Sequence, residues 1–197
     1  MPGRGPFHLY PWMAGFRRSF KQQVTARQHA VVFAGDSLFG DWATLSADFP
    51  ALNLANRRIG GDASRGLLFR FQEDVLDLHP SAIVILIGTN DLPAPYDPGD
   101  TLFNIERMLI LVDRQAKGTP VFICTLPPRY NPAAQIHPAK LLVVNRGLKK
   151  LARRSPSLIL VDLHAALAPD DGLPIASNFR RITCTSLRHA MRCSGRS

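Results

Sequence analysis

Cysteine is scarce: the chain has three, Cys124 in an apolar run and Cys184 and Cys193 near the C-terminus, with no Cys-x-x-Cys pair. So sparse and odd a set builds no disulfide framework, lacks zinc-site spacing, and suits a reducing compartment. No hydrophobic run approaches the roughly 20 residues that cross a bilayer, so no membrane span is expected. Near the N-terminus Pro6–Phe16 is apolar but interrupted by His8 and Pro11. That leaves no continuous apolar core of the kind a secretory signal carries, and a cytoplasmic protein is the expectation. Internal repeats and low-complexity tracts are missing too, which excludes solenoids and biased linkers.

Acidic residues are absent from both ends. Residues 1–30 hold Arg4, Arg17, Arg18, Lys21 and Arg27 without an acid, and residues 177–197 hold five arginines without an acid. With those ten of the 24 basic residues set aside, the 15 acids leave residues 31–176 at about −1, although the whole chain carries +9. The excess charge therefore reads as solvated termini on a near-neutral globule. No basic stripe interleaved with aromatics and no RNA-binding signature points to nucleic acid, so no nucleic-acid partner is expected.

What is present suffices for one α/β domain: 197 residues, 46% of them hydrophobic. Apolar, β-branched runs recur at Ala30–Ala34, Leu52–Ala55, Ala82–Ile87, Val121–Leu126 and Leu158–Leu163. Helix-like stretches lie between them. Ala63–Leu78 places Leu67, Leu68, Phe71, Val75 and Leu78 close to one face of a 3.6-residue period, and Thr101–Lys117 and Pro138–Arg154 read similarly. Continuous apolar runs alternating with helices predict a parallel sheet covered on both faces and joined by right-handed crossovers. The expected division is a basic N-terminal extension over 1–29, the domain over 30–176 and an atypical basic tail over 177–197.

In such sheets ligands bind beyond the carboxyl ends of the strands, so the polar residues after each run are the candidates. They are Gly35-Asp36-Ser37, Gly60-Gly61-Asp62 and Gly88-Thr89-Asn90-Asp91. A serine hydroxyl attacks only when a base takes its proton, and the resulting oxyanion needs fixed donors. Ser37, turned sharply after a strand and a glycine, is a candidate nucleophile whose own N–H can face the developing charge. Gly61 offers a second N–H where the missing Cβ lets backbone approach substrate, and Asn90 offers a side-chain amide. Each motif alone is equally at home as a turn or helix cap. Phe39 and Trp42, just beyond Ser37, read as core packing, with an apolar acyl contact as the alternative. Pro127–Pro138 is a proline-rich loop placed to border the crevice.

The three blocks in this order carry a resemblance. Val32-Phe33-Ala34-Gly35-Asp36-Ser37-Leu38 resembles the nucleophile block of the SGNH/GDSL family of serine ester hydrolases. Asn53 to Asp62 is similar to its second block, whose glycine before the aspartate, here Gly61, is an oxyanion donor. Ile85-Leu86-Ile87-Gly88-Thr89-Asn90-Asp91 resembles the third, which supplies the asparagine donor, here Asn90. Arg58 departs from the pattern where a glycine is usual, and either narrows the rim of the crevice or points to solvent. The resemblance implies a flavodoxin-like, three-layer α/β/α sandwich with about five parallel strands and no metal or organic cofactor. It also implies a small-molecule or lipid-like ester as substrate, cleaved through an acyl-enzyme on Ser37. A catalytically inactive binding or structural protein with the same fold is the alternative.

The family's general base comes from an Asp-x-x-His near the C-terminus, and this chain lacks one. Asp162-Leu163-His164 has the wrong spacing and falls in the fifth apolar run, so both polar residues read as structural. Asp171-Gly172-Leu173-Pro174 has the spacing but ends in proline and reads as a surface turn. His189 has no aspartate three residues before it and reads as a tail residue. His79 and His137 read as loop residues, and His8 and His29 precede the domain. When Arg180–Ser186 is reverse-translated with G/C-ending codons (CGG CGG ATC ACC TGC ACC TCC) and read from the third base, it gives Ala-Asp-His-Leu-His-Leu. That string contains Asp-x-x-His where the last block belongs. Out of that frame, the tail is expected to lack both the base and the helix that closes the sheet.

Overall fold

The computed structural model describes residues 3–40, 42, 44–93, 95–128, 136–167 and 179–194. In chain order the elements begin α1 (Pro11–Gln22), β1 (Val31–Gly35), α2 (Ser37–Gly40), α3 (Leu45–Asp48) and β2 (Leu54–Arg58). They continue α4 (Ser64–Asp74), β3 (Ala82–Leu86), α5 (Pro98–Gln115), β4 (Val121–Cys124) and α6 (Pro138–Ala152). The last are β5 (Leu158–Val161), α7 (Leu163–Leu167) and α8 (Phe179–Ser194).

The five strands form one parallel sheet in the order β2-β1-β3-β4-β5. β1 and β3 are buried at every position, as their unbroken apolar sequences require for central strands with helices on both faces. Helices α4, α5 and α6 pack side by side on one face. Phe33 of β1 anchors the core toward α2 and α3, with the rings of Phe39, Trp42 and Phe49 at centroid distances of 5.4, 6.2 and 6.1 Å. Burial of each such ring contributes roughly 1.5–3 kcal/mol. Phe39 and Trp42 thus belong to the core, with essentially no exposed surface for an acyl chain.

Element boundaries moved where polar residues are buried. The second strand runs to Arg58 instead of ending at Ala55, because α1 covers this edge of the sheet and shelters Arg57. The Arg57 guanidinium lies 4.8 Å over the Phe20 ring and donates to Gln23 Oε1 at 3.3 Å, and burial lowers its pKa. α5 starts at Pro98, three residues before the apolar periodicity, because Asp97 caps it by accepting the Gly99 N–H at 2.7 Å. β5 ends at Val161, and Leu163 and His164 belong to the short α7.

The tail also differs from expectation. Residues 179–194 form α8, which lies against β5 and α7 and buries Thr183 and Leu187 completely. Arg188 donates to the Asp48 main-chain oxygen and lies over Phe49, which joins α8 to α3. The sheet is therefore covered on this side, by a helix on which Arg188 and Arg192 are exposed. Among the described residues no helix is long and apolar enough to cross a membrane.

Candidate active site

β1 continues to β2 on one side, while the chain returns to β3 on the other, so the strand order reverses at β1. The register aligns Gly35 with both Arg58 and Leu86, bringing the three loops that follow to one edge of the sheet. A Cβ at Gly35 would run into the Leu86 carbonyl, so only glycine allows β1 and β3 this approach. The fully buried Asp36 then accepts the Leu38 N–H at 2.9 Å and turns the chain into α2, whose first residue is the half-buried Ser37. Among the described residues Ser37 Oγ has no hydrogen-bond partner.

Gly61 occupies the turn after β2 with φ +79°, a left-handed conformation suited to glycine. Its N–H has no acceptor among the described residues. Asn90 sits in a 3-10 turn after β3, entered through Gly88 at φ +127°. Its side-chain amide donates to the Asp62 main-chain oxygen at 2.9 Å and stands 3.5 Å from Asp36 Oδ2. One side chain thus touches the neighbours of both Ser37 and Gly61.

Two buried polar groups support these loops from below. Arg70 of α4 donates to Asp62 Oδ2 at 2.8 Å, to Asp74 Oδ2 at 3.2 Å and to the Gly35 main-chain oxygen at 3.3 Å. Asp91 accepts both the main-chain N–H and the hydroxyl of Ser64, and Asn104 donates to that hydroxyl at 2.8 Å. Burial raises the Asp62 carboxyl above its ordinary value, against the pull of Arg70. Burial likewise raises Asp91, against the bonds from Ser64. Carboxylates so buried persist only with such donors. Sequence reasoning missed both groups, although the four-residue spacing of Arg70 and Asp74 on an otherwise apolar helix face was a visible signal.

The other candidates fall elsewhere. Arg58 is half-buried, lying over Gly40 and 5.0 Å from the Phe16 ring. Asp162 accepts the Ala165 N–H at 3.2 Å as the cap of α7, the Thr125 hydroxyl at 2.9 Å and Lys149 Nζ at 2.6 Å. His189 lines a groove with Ile159–Val161 of β5 and Asp162, three strands and roughly 14 Å from β1 by strand spacing. His79 stands at Gln28, and the exposed His137 precedes α6. His164 follows β5 at the start of α7, its N–H donating to Thr125 Oγ1 at 2.9 Å, and His8 reaches the crevice loops, with Nδ1 2.9 Å from the Gly61 main-chain oxygen. Asp171–Pro174 lies outside the described residues, as does most of the Pro127–Pro138 loop. Among the described residues no group of three or more His, Cys, Asp or Glu is placed to hold a metal ion.

The parallel five-stranded α/β/α layering, with Ser37 in the turn at its switch point, defines an α/β protein with its ligand crevice at that edge. The chain belongs to the GDSL-like lipase/acylhydrolase family, whose profile matches residues 19–179. It is 27% identical over 171 residues to platelet-activating factor acetylhydrolase IB subunit alpha2 of Rattus norvegicus and of Homo sapiens, covering 82% of this chain and 70% of each relative. A GDSL-like lipase from Bacteroides thetaiotaomicron superposes with a TM-score of 0.74 at 22% identity, over 90% of this chain and 98% of that one. The lipase/acylhydrolase from Enterococcus faecalis does so at 0.62 and 17% identity, over 82% and 95%. The family and the acetylhydrolase relatives support an ester hydrolase.

Proposed function

We propose that the chain is a serine ester hydrolase in which Ser37 Oγ attacks the carbonyl carbon of a small or lipid-like carboxylic ester. The Ser37 N–H, the Gly61 N–H and the Asn90 amide hold the oxyanion, the alcohol leaves, and water releases the acyl group from Ser37. The observation that carries this is the Asn90 side chain, within hydrogen-bond reach of both Asp36 and Asp62, the residues adjoining Ser37 and Gly61. A short acyl group is favoured, since Phe39 and Trp42 are fully packed in the core and the relatives are named acetylhydrolases. Free Cys124 and Cys184 accord with a reducing, cytoplasmic setting.

A second reading, an inactive binding protein, is favoured by the Ser37 hydroxyl, which has no partner among the described residues, and by the missing Asp-x-x-His. A fluorophosphonate probe separates the two. Labelling that Ser37→Ala abolishes, with folding unchanged, supports the enzyme; no labelling at Ser37 supports the binding protein.

A further inference from the structure

We infer that Trp12 is a positioning residue for the oxyanion hole: its indole fixes the peptide unit between Gly60 and Gly61 so that the Gly61 N–H faces the crevice. The inference rests on Gly61 being an oxyanion donor, as proposed above. Trp12 Nε1 donates to the Gly60 main-chain oxygen at 2.9 Å. In a planar trans peptide the C=O and the following N–H point in opposite directions. Holding the Gly60 oxygen therefore aims the Gly61 N–H away from Trp12, with no contact to the N–H itself.

Such a hold matters at this place in the chain. Two successive glycines have the widest backbone freedom, and a flip of their shared peptide would turn a donor into an acceptor. Within the turn, only the Asp62 N–H to Ile59 oxygen bond, at 3.2 Å, braces it. The N-terminal segment braces the rest. His8 Nδ1 meets the Gly61 oxygen, and because a carbonyl only accepts, that nitrogen carries the hydrogen. Tyr10 stacks on Trp12 with ring centroids 4.6 Å apart, and a Cβ at Gly61 would come within 2.8 Å of its ring. Pro11 starts α1 directly after Tyr10, and the segment is anchored upstream by Arg4, paired through its backbone with Asn104, and by Phe7 on Phe69. Residues 8, 10 and 12 thus grip the two glycines from one side.

The test uses the full 197-residue chain and two variants. Trp12→Phe keeps the ring and removes the donor, while His8→Ala releases only the next peptide. In the parent, the 15N order parameter of the Gly61 N–H should be about 0.85, the value of rigid backbone, and in Trp12→Phe it should drop below about 0.6 with the melting temperature unchanged. His8→Ala should loosen the Asp62 N–H and leave Gly61 ordered. Fluorophosphonate labelling of Ser37 should slow about 5- to 50-fold in Trp12→Phe at an unchanged half-saturating probe concentration, short of the 10²–10³ for losing a donor outright. An unchanged Gly61 order parameter in folded Trp12→Phe overturns the inference, as does a Gly61 loss in His8→Ala equal to that in Trp12→Phe. A parent chain that is never labelled removes the proposed catalysis, while the order parameters still decide the role of Trp12.

Discussion

Asn90 donates its side-chain amide to the Asp62 main-chain oxygen at 2.9 Å, so the loop after β3 holds the loop after β2 from across β1. One amide hydrogen is spent on this tie. The other is only weakly engaged, with Nδ2 3.5 Å from Asp36 Oδ2, and we propose that it serves the oxyanion.

Replacing Asn90 by Ala should therefore act twice. Catalysis loses one oxyanion donor, a fall of about 10²–10³ in kcat with KM little changed. Folding loses one tie between loops, about 1 kcal/mol. Hydrolysis of 4-nitrophenyl acetate and urea unfolding measure the two effects. A rise in KM at constant kcat assigns Asn90 to substrate binding instead.

Arg70 carries a different load, because one guanidinium that is 3% exposed serves Asp62, the Gly35 oxygen and, together with Arg17 at 3.3 Å, Asp74. Arg70→Met should destabilise the fold by about 3–5 kcal/mol, since it leaves the buried Asp62 without its cation, while Asp74 keeps Arg17. Arg70→Lys should rescue little of this, because a single ammonium cannot span three acceptors set out for a planar fork. Urea midpoints compare the variants, and a Lys variant as stable as the parent would show that charge alone suffices.

The sheet was legible in the sequence because central parallel strands are apolar throughout, and β1 and β3 are of that kind. The edge strand β2 was legible only in part, since Asn56, Arg57 and Arg58 look like loop until α1 is laid over them. Ser37, Gly61 and Asn90 stood out because their motifs follow strands. Trp12 and His8 did not, for they meet Gly60 and Gly61 across about 50 residues and no local pattern announces so distant a contact. α8 was missed for a simpler reason: its arginines drew attention from the apolar spacing of Cys184, Leu187 and Met191 on its inner side.

Asp162 should reveal its structural role through pH. Burial alone would raise its pKa, but the bonds from Lys149, the Ala165 N–H and Thr125 outweigh this and hold the carboxyl below its ordinary 3.8. A carboxyl with a depressed folded-state pKa stabilises above the unfolded value, and the contribution is lost as pH falls through the folded value. Asp162→Ala should accordingly cost about 1 kcal/mol at neutral pH, the usual worth of a helix cap. The difference from the parent should shrink as pH falls below the ordinary carboxylate value and through the lower folded-state one. A cost that stays constant across that range would remove the charge from the explanation.

The remaining prediction concerns the base. Ser37 Oγ has no partner among the described residues, His189 faces β5, and the string Ala-Asp-His-Leu-His-Leu is available one frame away over Arg180–Ser186. We propose that a chain rebuilt in that frame gives Ser37 a proton acceptor, which it does not have among the described residues. The present chain should then hydrolyse aryl esters only at the residual level an oxyanion hole supplies, and the rebuilt chain should exceed it by at least about 10³-fold, dependent on both Ser37 and the new histidine. Folding should change far less than activity, because α8 already covers β5 with Thr183 and Leu187. Comparable melting temperatures with sharply different Ser37-dependent turnover is the expected pair of results, and the nucleotide sequence around residue 180 gives an independent check. Efficient Ser37-dependent turnover by the 197-residue chain would sink the idea and oblige one of its six existing histidines to serve as the base.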